Sequence, residues 1–448
     1  MGYSKVDITP SYSVPLAGYG NTSTRMSNNV LDRIYTHCTA ISDGKGNIVL
    51  LFNNDLQRTT ADLTAAVRAS VSKKLGIPEN NILISASHTH SAPDMQNRNE
   101  ESIVRYLADI TDWMTQAAEE AVADLLPAKM YIGRVNIPNL NYVRHYRLRN
   151  GTTVGYSSMI ASPGLLNQFN QEAAIAHVGT PDTEMQIVKF TRDDGEDVML
   201  CNWQVHNSFT GGAKNYDISA DIVGAFCEQL SKELNCHVTY FQGAAGNVSY
   251  ESEIYSETRS APETHTAYAQ KMVQAVKDAG DIYEEAATGK VKTTQVIFGA
   301  TIDHTEDDKL EAAKMVKAIW EETNDREKAD AAGAPYGIRS PYHAGAIITR
   351  AGLTGTKNNL ELNAVSIGDV SFVTACYEMF AGTGVSIKEN SPYKMTFIMG
   401  YANSHYGYMP SADAFTYENY ERDTTRFVEG TAELLADQFL GMLSALHG

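Results

Sequence analysis

At 448 residues with 43% apolar content, the chain is long enough for a large α/β unit with a substantial core. Its 36 basic residues face 54 acidic ones, a net charge of −18, so the overall field repels nucleic acid and anionic membrane surfaces. No run of about 18 apolar residues occurs, so no membrane-spanning helix is expected.

The opening "MGYSKVDITPSYS" has no basic stretch followed by an apolar one. Position 6 is Val6, not the Ser or Thr of a myristoylation signal. The cysteines (Cys38, Cys201, Cys227, Cys236 and Cys376) are odd in number and widely spaced, which suits buried free thiols in a reducing compartment. The expected protein is cytoplasmic, with no stable membrane association.

In chain order, "NIVLLFNND" (47–55) and "NILIS" (81–85) have strand length and β-branched content. Ile103, Leu107, Ile110, Met114, Ala117, Ala121 and Leu125 recur at three- and four-residue steps and predict a helix over 103–125. "KMYIGRV" (129–135), "EMQIVKF" (184–190) and "DVMLCNWQV" (197–205) predict strands, the last two forming a hairpin across "TRDDGE". Ile222, Phe226, Leu230 and Leu234 mark a helix over 219–235, followed by the strands "HVTYFQ" (237–242), "VSFVTACY" (370–377) and "MTFIMGY" (395–401). Between the last helix and these final strands, 301–355 carries a charged helix and then "ADAAGAPYGIRSPYHAGA", which reads as an insertion or lid. The alternation predicts an α/β fold with mixed sheets flanked by helices, as one domain over 1–448.

Residues able to do chemistry gather at the ends of these strands, where α/β proteins open their clefts. "SASHTHSAPD" places His88 and His90 two apart after a strand. If the extended chain continues, both point to one side and can converge on one ion, or each can bond to nearby backbone. "NWQVH" delivers His206, and "ACYEMF" delivers Glu378, which alone could be a solvated rim residue. "GYANSHYGYMPS" clusters Asn403, His405, Tyr406 and Tyr408, for packing or for chemistry. The loop Gly243 to Ser249 could cradle an anion, but the Walker Lys-Ser/Thr is missing. No G-x-S-x-G, H-E-x-x-H or C-x-x-C sequence occurs.

Taken in order, "DITPSYSVPLAGYG", "SASHTHSAPD", "NWQVH", "ISADIVGAF", "QGAAGNVS", "ACYEMFAG" and "GYANSHYGYMPS" resemble the catalytic domain of the neutral, non-lysosomal ceramidases. That resemblance implies a zinc-dependent amidohydrolase acting on linear amides. It also implies His88, His206, Glu378 and Tyr408 as zinc ligands and His90 as the proton-handling group. Arg144 would be the substrate-contacting arginine, with Arg144 or Tyr406 stabilising the developing oxyanion.

Two imidazoles, a carboxylate and a phenol oxygen suit zinc and leave room for water activated near neutral pH. Asn247 stands where the family has an acidic residue, so the "GNVS" turn around Ser249 is expected to be structural. The chain also ends soon after "VEGTAELLADQFLGMLSAL", without the β-sandwich that ceramidases add. With a polar rim and with Arg144, Arg147 and Arg149 in one segment, this points to a small, soluble N-acyl substrate. Ceramide, an ester or lactone, or a metal-containing ligand-binding role are the alternatives.

Overall fold

In the computed structural model, residues 1–19, 25–155, 174–212, 214–252, 254 and 262–448 are described. Three mixed sheets form the framework. The first runs in the order Gly2–Asp7, Tyr35–Ser42, Ile48–Asn54, Ile82–Ala86. The second runs His237–Gln242, Val198–Trp203, Glu184–Arg192, Ala128–Asn136, with the short Glu284–Glu285 at its edge. The third runs Val291–Thr301, Lys357–Ile367, Val370–Thr374, Met395–Met399.

Each sheet contains a single parallel pair among its antiparallel ones. A parallel pair needs a crossover, and in each case the connection carries a helix: Ala61–Leu75, Asp221–Leu234 and Ala381–Asn390. Three strand–helix–strand units therefore turn their carboxyl ends toward loops that can meet.

Side chains alternate across each strand, and here both faces are buried. Leu50, Phe52, Ile82 and Ile84 face the helices Ala61–Leu75 and Glu101–Ala123, while Val49, Leu51 and Leu83 face the other way. Met199, Cys201 and Trp203 pack on Asp221–Leu234 and His265–Asp278, and Val198 and Leu200 turn away from them. Leu360, Leu362 and Ala364 pack toward Ala381–Asn390 and Thr431–His447, with Val365 and Ile367 on the opposite face. The faces turned from the helices share one core. Two-sided burial explains why these strands read as nearly continuous apolar runs.

All eight predicted strands form, and the two helices form as Glu101–Ala123 and Asp221–Leu234. Four longer strands escaped the pattern: Gly2–Asp7, Tyr35–Ser42, Val291–Thr301 and Lys357–Ile367. In Val291–Thr301 most side chains are at least partly exposed, so its polar face breaks the apolar signal.

The predicted insertion is a helical excursion between the last two of these strands, which pair from Val291↔Ile367 to Thr301↔Lys357. Its helices Leu310–Thr323, Arg326–Gly333 and Pro341–Ala351 bury their own small cluster of Ala313, Val316, Ala329, Ile338, Ala344 and Ile347. Glu306 fastens it, accepting from Nε2 of His343 at 2.8 Å and from Nη2 of Arg350 at 2.7 Å. Among the described residues no helix is long and apolar enough to cross a membrane, and all five cysteines are buried free thiols.

Candidate active site

The carboxyl ends of the six parallel strands supply one buried pocket of polar groups. His88 and His90 follow Ile82–Ala86, His206 follows Val198–Trp203, and Glu378 follows Val370–Thr374. The residues 401–408 follow Met395–Met399. The histidines do not converge by extended-strand alternation, as the sequence suggested. The strand ends at Ala86, and His88 adopts φ 64°, a left-handed turn that swings its ring back over His90. Tyr401 (φ 55°) and Asn403 (φ 61°) share this uncommon conformation, so three non-glycine residues in the loops that carry the site hold backbone strain.

His88, His90 and His206 place one ring nitrogen each within 4.8 Å of one another. The Nε2 atoms of His88 and His206 are 3.3 Å apart, and those of His88 and His90 are 3.2 Å apart. His88 donates from Nδ1 to the Gln57 carbonyl at 2.7 Å, and His206 from Nδ1 to the Ala245 carbonyl at 3.3 Å. Those bonds fix the tautomer and leave each Nε2 with its lone pair turned inward. Burial depresses the basicity of His88, His206 and His405 far below the histidine range and brings His90 down to about 3. The imidazoles are therefore neutral, the form that binds metal.

Glu378 lies beside them, its Oε2 3.5 Å from His88 Nε2 and its Oε1 3.3 Å from His405 Nε2. Oε2 is buried and accepts no hydrogen bond among the described residues. Lone pairs facing each other at van der Waals distance beside an unpaired carboxylate oxygen repel unless a cation lies among them. Nitrogens about 2.05 Å from a tetrahedral zinc stand about 3.3 Å apart, so this donor set fits zinc.

Tyr408 pairs with Glu378 across a two-residue parallel ladder, and its hydroxyl accepts from Arg144 Nη2 at 3.2 Å rather than meeting an imidazole. Burial, and then Glu378, push its phenol well above the tyrosine range. Tyr406 is not brought to the histidines: its hydroxyl donates to the Asn359 carbonyl at 3.2 Å, and its ring packs toward the third sheet's helix-facing core.

The "GAAGN" turn works as scaffold. The Gly246 α-carbon passes so close to Glu378 that a Cβ would stand 2.6 Å from that residue's carbonyl oxygen. Asn247 Oδ1 accepts from the amide of Ala381 at 2.9 Å, satisfying a free donor at the start of the helix Ala381–Asn390. Gly18 (φ 114°) is needed for a similar reason, since a Cβ there would meet His90 Nδ1 at 2.5 Å.

Arg144 is buried, donating from Nε to Glu421 Oε1 at 2.7 Å and from Nη2 to the Gly246 carbonyl at 2.9 Å. His145 Nε2 meets the other Glu421 oxygen at 3.1 Å. Arg147 and Arg149 are exposed. The three arginines therefore do not converge as a carboxylate clamp: Glu421 holds Arg144 inside, while Arg147 and Arg149 lie at the surface.

Sequence reasoning missed Glu421, His405 as a partner of Glu378, and Arg58, which bonds His405 Nδ1 at 3.3 Å. The proximity of His405 to Tyr408 in the quoted motif was the available signal. Nothing local announced Glu421.

Burial alone would raise the Glu421 carboxyl, but Arg144 and His145 outweigh it and lower it from 4.5 to about 2. A carboxyl depressed in the folded state contributes stability that is complete above its unfolded value near 4.5 and is lost as pH falls toward 2. For this buried group that amounts to about 3 kcal/mol. Glu421→Gln is expected to lose that amount at pH 7 and to flatten the acid limb of the stability–pH curve. Urea unfolding of both proteins from pH 7 to 3 measures the difference; parallel curves would show that the pair contributes nothing.

No protein-family profile matches the chain. Over 247 residues it is 25% identical to a neutral ceramidase of Oryza sativa subsp. japonica, an alignment covering 52% of this chain and only 29% of that protein. The crystal structure of neutral ceramidase from Pseudomonas aeruginosa superposes with a TM-score of 0.70 at 19% identity, covering 99% of this chain and 74% of that one. A ceramidase complexed with C2 gives 0.69 at 18% identity, covering 100% and 75%. At such identity the superpositions speak for fold. Similar in fold over nearly its whole length and in sequence over about half of it, the chain is a neutral-ceramidase-like domain.

Proposed function

We propose that this protein is a zinc-dependent hydrolase of amide bonds in small, water-soluble N-acyl compounds. The observation that carries the reading is the apposition of neutral His88 and His206 lone pairs beside the unpaired Oε2 of Glu378. Likeness to ceramidases supports the amide as the bond attacked. His88, His206, Glu378 and Tyr408 would hold the metal; when bound, zinc supplies Lewis acidity toward a carbonyl and acidifies water to a pKa of about 7.

The chain's own residues do the rest. His90 sits against the ligand cluster with a neutral ring, placed to take a proton from attacking water and return it to the leaving nitrogen. Arg144 is held by Glu421, and its Nη1 makes no hydrogen bond to the described residues, which leaves that nitrogen's two N–H groups for a developing oxyanion. Tyr406, its hydroxyl engaged with Asn359, is assigned no such part. A second reading makes His90 a third imidazole ligand, favoured by its 3.2 Å approach to His88, as close as that of His206.

The substrate half of the proposal rests on space and rim. A cavity of about 260 Å³ adjoins the site through Tyr19 and Gly407, small beside the ~300–1,000 Å³ of ordinary ligand pockets. Arg58 and Gln96 bond to each other at 2.7 Å near His405, a polar edge rather than an aliphatic one. We expect kcat/KM for water-soluble N-acyl amino acids and amines to exceed that for a long-chain ceramide in mixed micelles. A ceramide preference of tenfold or more, about 1.4 kcal/mol of transition-state stabilisation, would replace the soluble substrate with ceramide. If matched esters alone are cleaved, the amide assignment fails.

A further inference from the structure

The cavity beside the site is walled by two parts of the chain that the catalytic groups do not use. The helical excursion contributes Lys317, Trp320 and Tyr342, and the opposite wall holds Tyr19, Tyr420 and Arg426. Two ring contacts tie it to the site: Tyr19 packs edge-on against His90 with centroids 5.4 Å apart, and Tyr420 packs likewise against Tyr408 at 5.6 Å. A molecule whose scissile bond lies at the histidines can therefore extend into this aromatic cavity.

The cations here differ from their neighbours. Arg339 forks onto Asp423 at 2.9 Å, Arg350 meets Glu306 at 2.7 Å, and Arg422 meets Asp423 at 3.1 Å. Arg426, half-buried, pairs with no carboxylate among the described residues. Arg58, the nearby cation, bonds among the described residues only neutral acceptors: Gln57 and Gln96 at 2.7 Å and His405 at 3.3 Å. Lys317 has a loose, exposed contact of 3.5 Å with Glu321 on its own helix.

In a chain of net charge −18 an acid partner for Arg426 would be easy to supply. Leaving it unpaired beside a second arginine costs stability unless something else brings the charge. Burial, together with the like charge of Arg58, brings the Arg426 guanidinium below the usual arginine range. The net negative charge does not oppose an anion at this spot, because exposed charges beyond about 8 Å are screened at physiological salt.

Resting on the hydrolase reading above, we infer that the substrate carries an anionic oxygen group, a carboxylate or a sulfonate, bound by Arg426 in the cavity between the helical excursion and Tyr420. The aromatic rings take the body of the molecule, and the planar guanidinium takes its charged end. Arg144 is not available for that charge, since Glu421 already holds it.

The test is calorimetric titration of the zinc-loaded full chain with 4-phenylbutyrate, 4-phenylbutane-1-sulfonate and neutral 4-phenylbutanol. Wild type, Arg426→Gln and Arg426→Lys are compared, with circular dichroism and metal content as checks of folding. Wild type is expected to bind at least one anion about tenfold or more tighter than the alcohol, and the two anions show which oxygen group is preferred. The preference should fall below about threefold in Arg426→Gln, survive in part in Arg426→Lys, and weaken with added salt.

An anion preference that is absent in wild type overturns the inference. So does one that persists in Arg426→Gln but disappears when zinc is chelated, because the anion then sits on the metal. None of these readings needs turnover. Loss of the preference in Arg426→Gln with no hydrolysis of any N-acyl compound would sink the proposed activity and leave the anion subsite standing.

Discussion

Replacing His88 and His206 together by alanine is expected to take the protein from near one zinc per chain to below about 0.2, with hydrolysis lost in parallel. The physical reason is that each imidazole is fixed twice. Its Nδ1–H is committed to a carbonyl, of Gln57 or of Ala245, and its ring is immobilised by burial, so Nε2 is presented with little entropy left to lose. The double variant leaves Glu378 and Tyr408, a carboxylate and a phenol, too few donors for a tight site. It also removes two rings from the buried pocket, so circular dichroism should accompany elemental analysis. An unchanged metal content in a folded double variant would refute the ligand assignment outright.

His90→Ala is expected to keep its zinc and lose roughly 10²- to 10⁴-fold in kcat, the usual contribution of a positioned proton-transfer group. Its surroundings suit a group that must be held still without being consumed in bonding. The His90 carbonyl accepts from Arg25 Nη1 and Nη2, both at 2.9 Å, and its amide donates to the Asn207 carbonyl at 3.1 Å. The ring rests on the Gly18 α-carbon, where no side chain fits. The competing outcome is equally definite. If His90→Ala loses zinc while its apo form folds normally, His90 is a ligand, the 3.2 Å spacing to His88 is that of two donors on one ion, and proton transfer belongs to another group.

The sequence alone determined eight strands and two helices of the framework and the names of the first residues at the site. Strands buried on both faces must be apolar at successive positions, and helices packed on one side must be apolar at three- and four-residue steps. "NIVLLFNND", "DVMLCNWQV" and the 103–125 stripe therefore announce their structures without reference to anything distant. Strand carboxyl ends are also where clefts open, so His88, His206 and Glu378 stood out by position.

What only the tertiary structure decided is how charges and lone pairs are matched. His88 meets His90 through a left-handed turn rather than strand alternation, because the backbone conformation of a loop is set by what packs against it. Arg144 and Arg426 look alike in sequence, yet one is neutralised by Glu421 from 277 residues away and the other pairs with no carboxylate among the described residues. A salt bridge forms between whichever side chains the fold leaves within a few ångströms. Sequence spacing says nothing about that distance once the partners lie on different strand–helix–strand units, and so the apposition of the histidines and Glu378 became visible only when those units closed around one site.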